Sequence, residues 1–244
     1  MLSNLQLLSF EIGRTCNLAA LHPWCPVNDS SRHSVNGCNG LQMPLNDAEI
    51  IYFAKFAQLR GFKGLVAWHY YNEPMIHMER ILSIGRQLQE VGLRMGLWTN
   101  GTLIREDDLG WIDRFEIVWI TDHDPERREI YRRLATKFPG KILMRSGNHD
   151  DRISVYSKPE KGCSPCWRPT ILEMIVDYVG DLHLCCADWR GECQIGNVRR
   201  DNAAELIDRW GRMAVAASVG ALPICEKCQS LEKSPSMADK EFLL

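Results

Sequence analysis

The chain has 244 residues, 45% of them hydrophobic and 25% charged, with a formal net charge of −2 at pH 7. That composition supplies one large buried core, or a domain with an appendage. The near-neutral balance leaves no electrostatic footprint for nucleic acid or an anionic membrane, and no apolar run approaches the roughly 18 residues of a membrane span.

The opening segment, MLSNLQLLSFEIGR, lacks a basic start and a cleavage signature, so it reads as a first strand, Leu5–Ile12, and not as a signal peptide. Asp47–Leu59 carries apolar residues at helical spacing (Ile50, Ile51, Phe53, Ala54, Ala57), with Asn46 or Asp47 as N-cap. Gly64–His69 is a second strand. Met75–Val91 is a helix stopped by Gly92. Arg94–Thr99 is a third strand, closed by the turn Asn100-Gly101, and Arg105–Arg114 reads as a helix. Phe115–Thr121 is a fourth strand, and Pro125–Lys137 a helix with proline in its first turn. Lys141–Arg145 is a fifth strand and Ile153–Tyr156 a sixth.

This alternation predicts an α/β fold with a parallel sheet. Five or six units are too few for a full eight-stranded barrel, so a partial (β/α) barrel of five or six parallel strands is expected over residues 1–157. Ligands of such sheets bind at the carboxyl ends of the strands. Cys16, Asn72-Glu73-Pro74, Thr99-Asn100-Gly101, Asp122, and Arg145 with Ser146 all fall there. Asp122, His123 and Asp124 would touch substrate or simply start a helix. Trp68 and Trp119, inside strands, read as core.

The polar stretch Ser157–Gly162 marks a boundary. Beyond it, residues 158–234 are expected to form a small α+β extension that binds a cluster: Leu172–Val179 and Asp181–Cys185 as a hairpin about Gly180, then a helix over Asn202–Ala217. Residues 235–244 read as a frayed tail.

Ten cysteines need a role. The chain has a full core without staples, and the C-x2-C pairs Cys163/Cys166 and Cys225/Cys228 favour metal over disulfides. A reducing, cytoplasmic setting follows. Cys166, Cys185, Cys225 and Cys228 suit a tetrahedral-sulfur site, either an iron–sulfur cubane or zinc. Cys16, Cys25 and Cys38 form a second group far upstream. Two such groups point to redox chemistry.

Thr15-Cys16-Asn17-Leu18, Tyr71-Asn72-Glu73-Pro74 and Thr99-Asn100-Gly101-Thr102, on successive strand ends, resemble the radical S-adenosylmethionine (SAM) enzymes. The tail C-x13-G-x4-C…C-x2-C, with Cys185-Cys186-Ala187-Asp188 and Gly196-Asn197-Val198, resembles their auxiliary-cluster extension, called SPASM or, in its short form, twitch. This chain lacks the C-x2-C-x5-C-x3-C block of the long form. The resemblance implies two [4Fe–4S] clusters. One, with an open iron, binds SAM and yields a 5′-deoxyadenosyl radical for hydrogen abstraction. The other, closed by four cysteines, transfers electrons.

The loop departs from the family's C-x3-C-x2-C, because Ala20 stands at the second cysteine position. Cys38 or His22 is left as the third ligand beside Cys16 and Cys25; thiolate is the usual cubane ligand and favours Cys38. Cys186 is an alternative to Cys185, and Cys163 and Cys193 are surplus. The resemblance further implies that Asn72 and Glu73 meet the SAM amine, Thr99 and Asn100 its ribose or methionine part, and Arg145 and Ser146 its carboxylate.

The segment AWHYYNEP resembles peptide maturases, including those acting on nif11-like leader peptides. The expected function is therefore maturation of a ribosomally made peptide by a lyase- or oxidoreductase-type reaction, such as backbone excision at a Tyr site. Its partners would be the precursor peptide, a small separate leader-recognition protein and an external electron donor. Two alternatives stand beside it: a radical SAM dehydrogenase of a small alcohol or aminocyclitol, and a non-catalytic iron–sulfur or zinc scaffold that binds a partner.

Overall fold

The structure is a computed structural model that describes residues 2–29, 43–146, 173–193 and 195–227. Cys38, Cys163, Cys166, Cys228, the 153–156 strand and the 157–162 boundary lie outside the described residues. The strands are β1 (Leu7–Phe10), β2 (Leu65–Trp68), β3 (Arg94–Thr99), β4 (Ile117–Asp122), β5 (Ile142–Ser146), β6 (Glu173–Val176), β7 (Asp181–His183) and β8 (Gly196–Asn197). The helices are α1 (Asp47–Leu59), α2 (Met78–Gln89), α3 (Arg128–Lys137), α4 (Ala203–Ser218) and α5 (Pro223–Lys227).

All eight strands join one sheet in the order β5-β4-β3-β2-β1-β6-β7-β8. The strands from β5 across to β6 run parallel, and β7 and β8 are antiparallel additions. The fold is thus mixed α/β with a mostly parallel sheet. The expected hairpin about Gly180 forms, since β6 and β7 pair and Gly180 takes φ +93°. Its first strand does not stay apart from the preceding units: β6 pairs parallel with β1, from Leu7 opposite Glu173 to Phe10 opposite Val176.

Local signals set the helix starts. Asn46 and Glu49 form a reciprocal capping box at α1, and the Asn202 side chain accepts from Ala204 and Glu205 N–H at α4. Three expected helices are shorter than their periodicity suggested, among them Pro125–Lys137, which is 3₁₀ over Pro125–Arg127 and α-helical only over Arg128–Lys137. Pro74–His77 is a 3₁₀ turn capped by Glu73, with α2 starting only at Met78. The expected helix over Arg105–Arg114 is a turn followed by 3₁₀ over Gly110–Arg114; Asp107, Asp108 and Gly110 are poor helix formers.

One sheet face carries Leu8, Phe10, Val66, Trp68, Leu97, Val118 and Ile120, all in the hydrophobic core with α1–α4. The alternate residues, on the other face, are of a different kind: Ser9 and Glu11 on β1 and just beyond, His69 just past β2, Trp98 on β3, Trp119 and Thr121 on β4, Arg145 on β5. Trp68 is core as expected, at 0% exposure. Trp119 lies outside that core and is partly exposed.

Candidate functional site

The strand ends come together through a hydrogen-bonded knot. Glu73, just past β2, donates its backbone N–H to the Thr15 carbonyl (2.9 Å). Its carboxylate accepts from Thr99 Oγ1 (2.6 Å), Asn100 N (2.8 Å) and Met75 N (3.1 Å). Asn100 Nδ2 donates to Asn17 Oδ1 (2.9 Å) and lies 4.0 Å from Cys16 Sγ. Asn17 Nδ2 donates to Thr102 Oγ1 (2.7 Å). Segments separated by more than 80 residues are thereby fixed as one unit. Gly101 turns the backbone at φ +74°, and a Cβ there would meet the Tyr131 ring at 2.9 Å.

Glu73 is 2% exposed. Burial pushes its carboxyl up, against the three donors that favour the ionised form. Three of its roughly four acceptor sites are used within the chain, which fixes the carboxylate between β2 and β3. Asn72 is different. Its amide nitrogen and oxygen are both buried, and neither has a hydrogen-bond partner among the described residues. A buried amide orphaned on both atoms is rare in folded proteins and leaves two polar atoms for a water or a ligand to satisfy. That fits a cofactor offering both a donor and an acceptor, as the amino-acid end of SAM does.

Cys16 and Cys25 are half-buried thiols. Burial pushes Cys16 up, the Leu18 backbone hydrogen bond works downward, the Glu73 charge upward, and Asn100 downward. A thiol so placed ionises readily only beside a cation, which is what an iron site supplies. His22 turns its ring onto His123 at 4.6 Å. Among the described residues no group of three His, Cys, Asp or Glu converges for a metal. Cys38, the other candidate, lies outside the described residues.

At the end of β4, Asp122 pairs with Arg128, and Asp124 caps the following 3₁₀ turn through Glu126 N; the trio starts a helix. Arg145 donates to Thr121 Oγ1 (3.0 Å) and lies over the Trp119 ring at 6.0 Å. Ser146 ends β5 opposite Asp122.

In the tail, Asp188 is fully buried and accepts from Leu184 and Cys193 N–H, while its own N–H donates to the Cys185 carbonyl. His183 bonds Asp177 Oδ2 through Nε2 (3.1 Å) and the Asp188 carbonyl through Nδ1 (2.6 Å). Burial alone would lower its pKa, but the hydrogen bond and charge of Asp177, then the charge of Asp188, raise it to about 9. Tyr71 Oη donates to the Cys186 carbonyl (2.5 Å), which ties the Cys185–Cys186 turn to the β2 end. Cys193, surplus by spacing, feels both Asp188 and Cys225, and burial foremost drives its thiol pKa up. Of the expected tail ligands, Cys185 and Cys225 are described; Cys166 and Cys228 are not.

Missed by sequence reasoning were Glu11 and the pair His69–Glu173. Glu11 accepts from Tyr71 N and Tyr178 N. His69 Nε2 lies 3.2 Å from Glu173 Oε2. Only the two-residue alternation through Ser9 and Glu11 hinted at a polar sheet face.

No helix among the described residues is long and apolar enough to cross a membrane. No family model matches the chain, and no curated protein matches it. Among solved structures, the chain matches the crystal structure of BtrN in complex with AdoMet and 2-DOIA at a TM-score of 0.70. The match covers 95% of this chain and 95% of BtrN at 17% identity, and so shows a shared fold.

Proposed function

We propose that the chain is a radical SAM enzyme that oxidises a small alcohol of the aminocyclitol type. The observation that carries this reading is the knot joining Thr15–Asn17, Glu73 and Thr99–Thr102. The segments that resemble the family's loops thus meet at one place, on a fold shared with a protein solved with AdoMet.

When bound, AdoMet on a [4Fe–4S] cluster supplies a hydrogen-abstracting radical, and a second, twitch-like cluster supplies a one-electron acceptor. In this reading Cys16 and Cys25, with Cys38, hold the first cluster. Cys225 and Cys228, with Cys166 and either Cys185 or Cys186, hold the second. The Asn72 amide takes the amino-acid end of AdoMet, completing its two orphaned atoms. Thr99 and Asn100 shape the adjacent wall. Arg145, at the end of β5, offers a cation to a carboxylate, with Ser146 beside it. An external donor provides the starting electron.

The comparison favours the small-alcohol reading over peptide maturation, because BtrN carries AdoMet and 2-DOIA together. The tyrosines of AWHYYNEP are also taken up inside the fold: Tyr71 is 4% exposed and bonds Cys186, and Tyr70 packs on Tyr71 and His183. Nothing among the described residues favours a precursor peptide or a leader-recognition partner.

The test is anaerobic reduction of the reconstituted protein with AdoMet and a panel of aminocyclitols. The expected products are 5′-deoxyadenosine and a carbonyl compound. Absence of 5′-deoxyadenosine would leave the scaffold reading. Turnover with a co-expressed peptide alone would return the peptide reading.

A further inference from the structure

The sheet face turned away from the helices has a floor built for two rings. Ser9, Ala67 and Gly96 lie in register across β1, β2 and β3. These small residues leave space above the strands. The Trp98 indole folds into it: a Cβ on Gly96 would come within 2.6 Å of that ring. His69 stacks on Trp98 at 5.5 Å and 31°. Its backbone N–H continues the parallel ladder to Phe10 O, so the ring springs from the strand end that also carries Asn72 and Glu73.

The His69 ring is not simply packed. Nε2 faces Glu173 Oε2 at 3.2 Å, and that carboxylate side chain is 4% exposed against 21% for the histidine. In the tautomer with hydrogen on Nε2, the buried carboxylate accepts that N–H and Nδ1 keeps its lone pair, the arrangement that orients imidazole bases generally. Nδ1 makes no hydrogen bond among the described residues. On the same face Ser9 Oγ and Trp119 Nε1 are buried without partners among the described residues. Trp119 stands in register with Trp98, and Arg145 lies over its ring.

We propose that His69, held by Glu173, is the base that accepts the hydroxyl proton of the alcohol substrate. This rests on the dehydrogenase reading above. Removal of the carbinol hydrogen as an atom leaves a carbon radical bearing the hydroxyl. The O–H proton goes to His69 Nδ1, and one electron goes to an iron–sulfur cluster. The C–O bond becomes C=O, and the imidazolium later releases its proton to water. Trp98 and Trp119 would meet the apolar faces of the ring substrate.

The experiment uses holoenzyme with AdoMet, reductant and an aminocyclitol, and measures 5′-deoxyadenosine and carbonyl product together. His69→Gln keeps a contact for Glu173 but has no basic nitrogen; His69→Gly opens room for added imidazole. The wild-type ratio of the two products is expected to be about one. In both variants it is expected to rise roughly 100-fold, and imidazole should lower it again in His69→Gly. A ratio that stays near wild type, whether both products fall or neither does, overturns the assignment. Wild-type protein that makes no 5′-deoxyadenosine removes the reading beneath it instead.

Discussion

At the scale of the residue, Glu73 holds the site together. Its carboxylate accepts three hydrogen bonds from three different positions on β3 and the turn after β2. Glu73→Ala would leave Asn100 N buried without its acceptor and remove the acceptor of the Thr99 hydroxyl and of the partly buried Met75 N. Each such group costs about 1–3 kcal/mol. A loss of roughly 3–5 kcal/mol in urea unfolding is expected, together with AdoMet binding at least about tenfold weaker. Wild-type stability with unchanged binding would show that the knot is not what positions Asn72 and Asn100. Sequence reading placed Asn72, Glu73, Thr99 and Asn100 on one edge correctly. It did not see that Glu73 accepts three hydrogen bonds from the protein while the Asn72 amide has no partner among the described residues, because hydrogen-bond partners come from distant strands.

At the scale of the element, what was legible was what local chemistry decides. The α1 bounds follow from the Asn46/Glu49 capping box, and β3 from Gly92 before it and the Asn100-Gly101 turn after it. Misreadings came where periodicity competed with poor helix formers, as at Asp107–Gly110. The entry to α2 has a further consequence. His77 ends the 3₁₀ turn with Nε2 buried and without a partner among the described residues. Burial first, then the Arg80 charge, hold its pKa below the usual imidazole value. The unfolded chain therefore takes the proton more readily. The His77 contribution to stability should be level above about pH 6.5 and fall as the pH drops below it, whereas His183, raised to about 9, adds stability that is lost as the pH rises from about 6.5 through about 9. Urea midpoints of wild type and His77→Phe between about pH 7.5 and about pH 5.5 isolate the His77 part: wild type should lose stability relative to His77→Phe toward about pH 5.5, and an identical pH dependence in both proteins contradicts it.

At the scale of the whole molecule, one continuous sheet organises everything. Its core face packs the helices, and its other face presents His69, Trp98, Trp119 and Arg145. The tail hairpin enters that sheet through β6 beside β1, a pairing between residues 7 and 173 that no local pattern announces. The same long-range pairing brings Glu173 to His69, which is why that pair was invisible in the sequence. The Tyr71–Cys186 bond links the β2 end to the tail turn. The closeness of Cys193 to Cys225 and Asp188 was not legible from spacing.

The most direct test is an iron and sulfide count on anaerobically reconstituted protein, wild type against Cys16→Ala. Two [4Fe–4S] sites predict about eight irons per chain in the wild type and about four in the variant. Protein that retains zinc alone, or a variant with the wild-type iron content, would contradict the account.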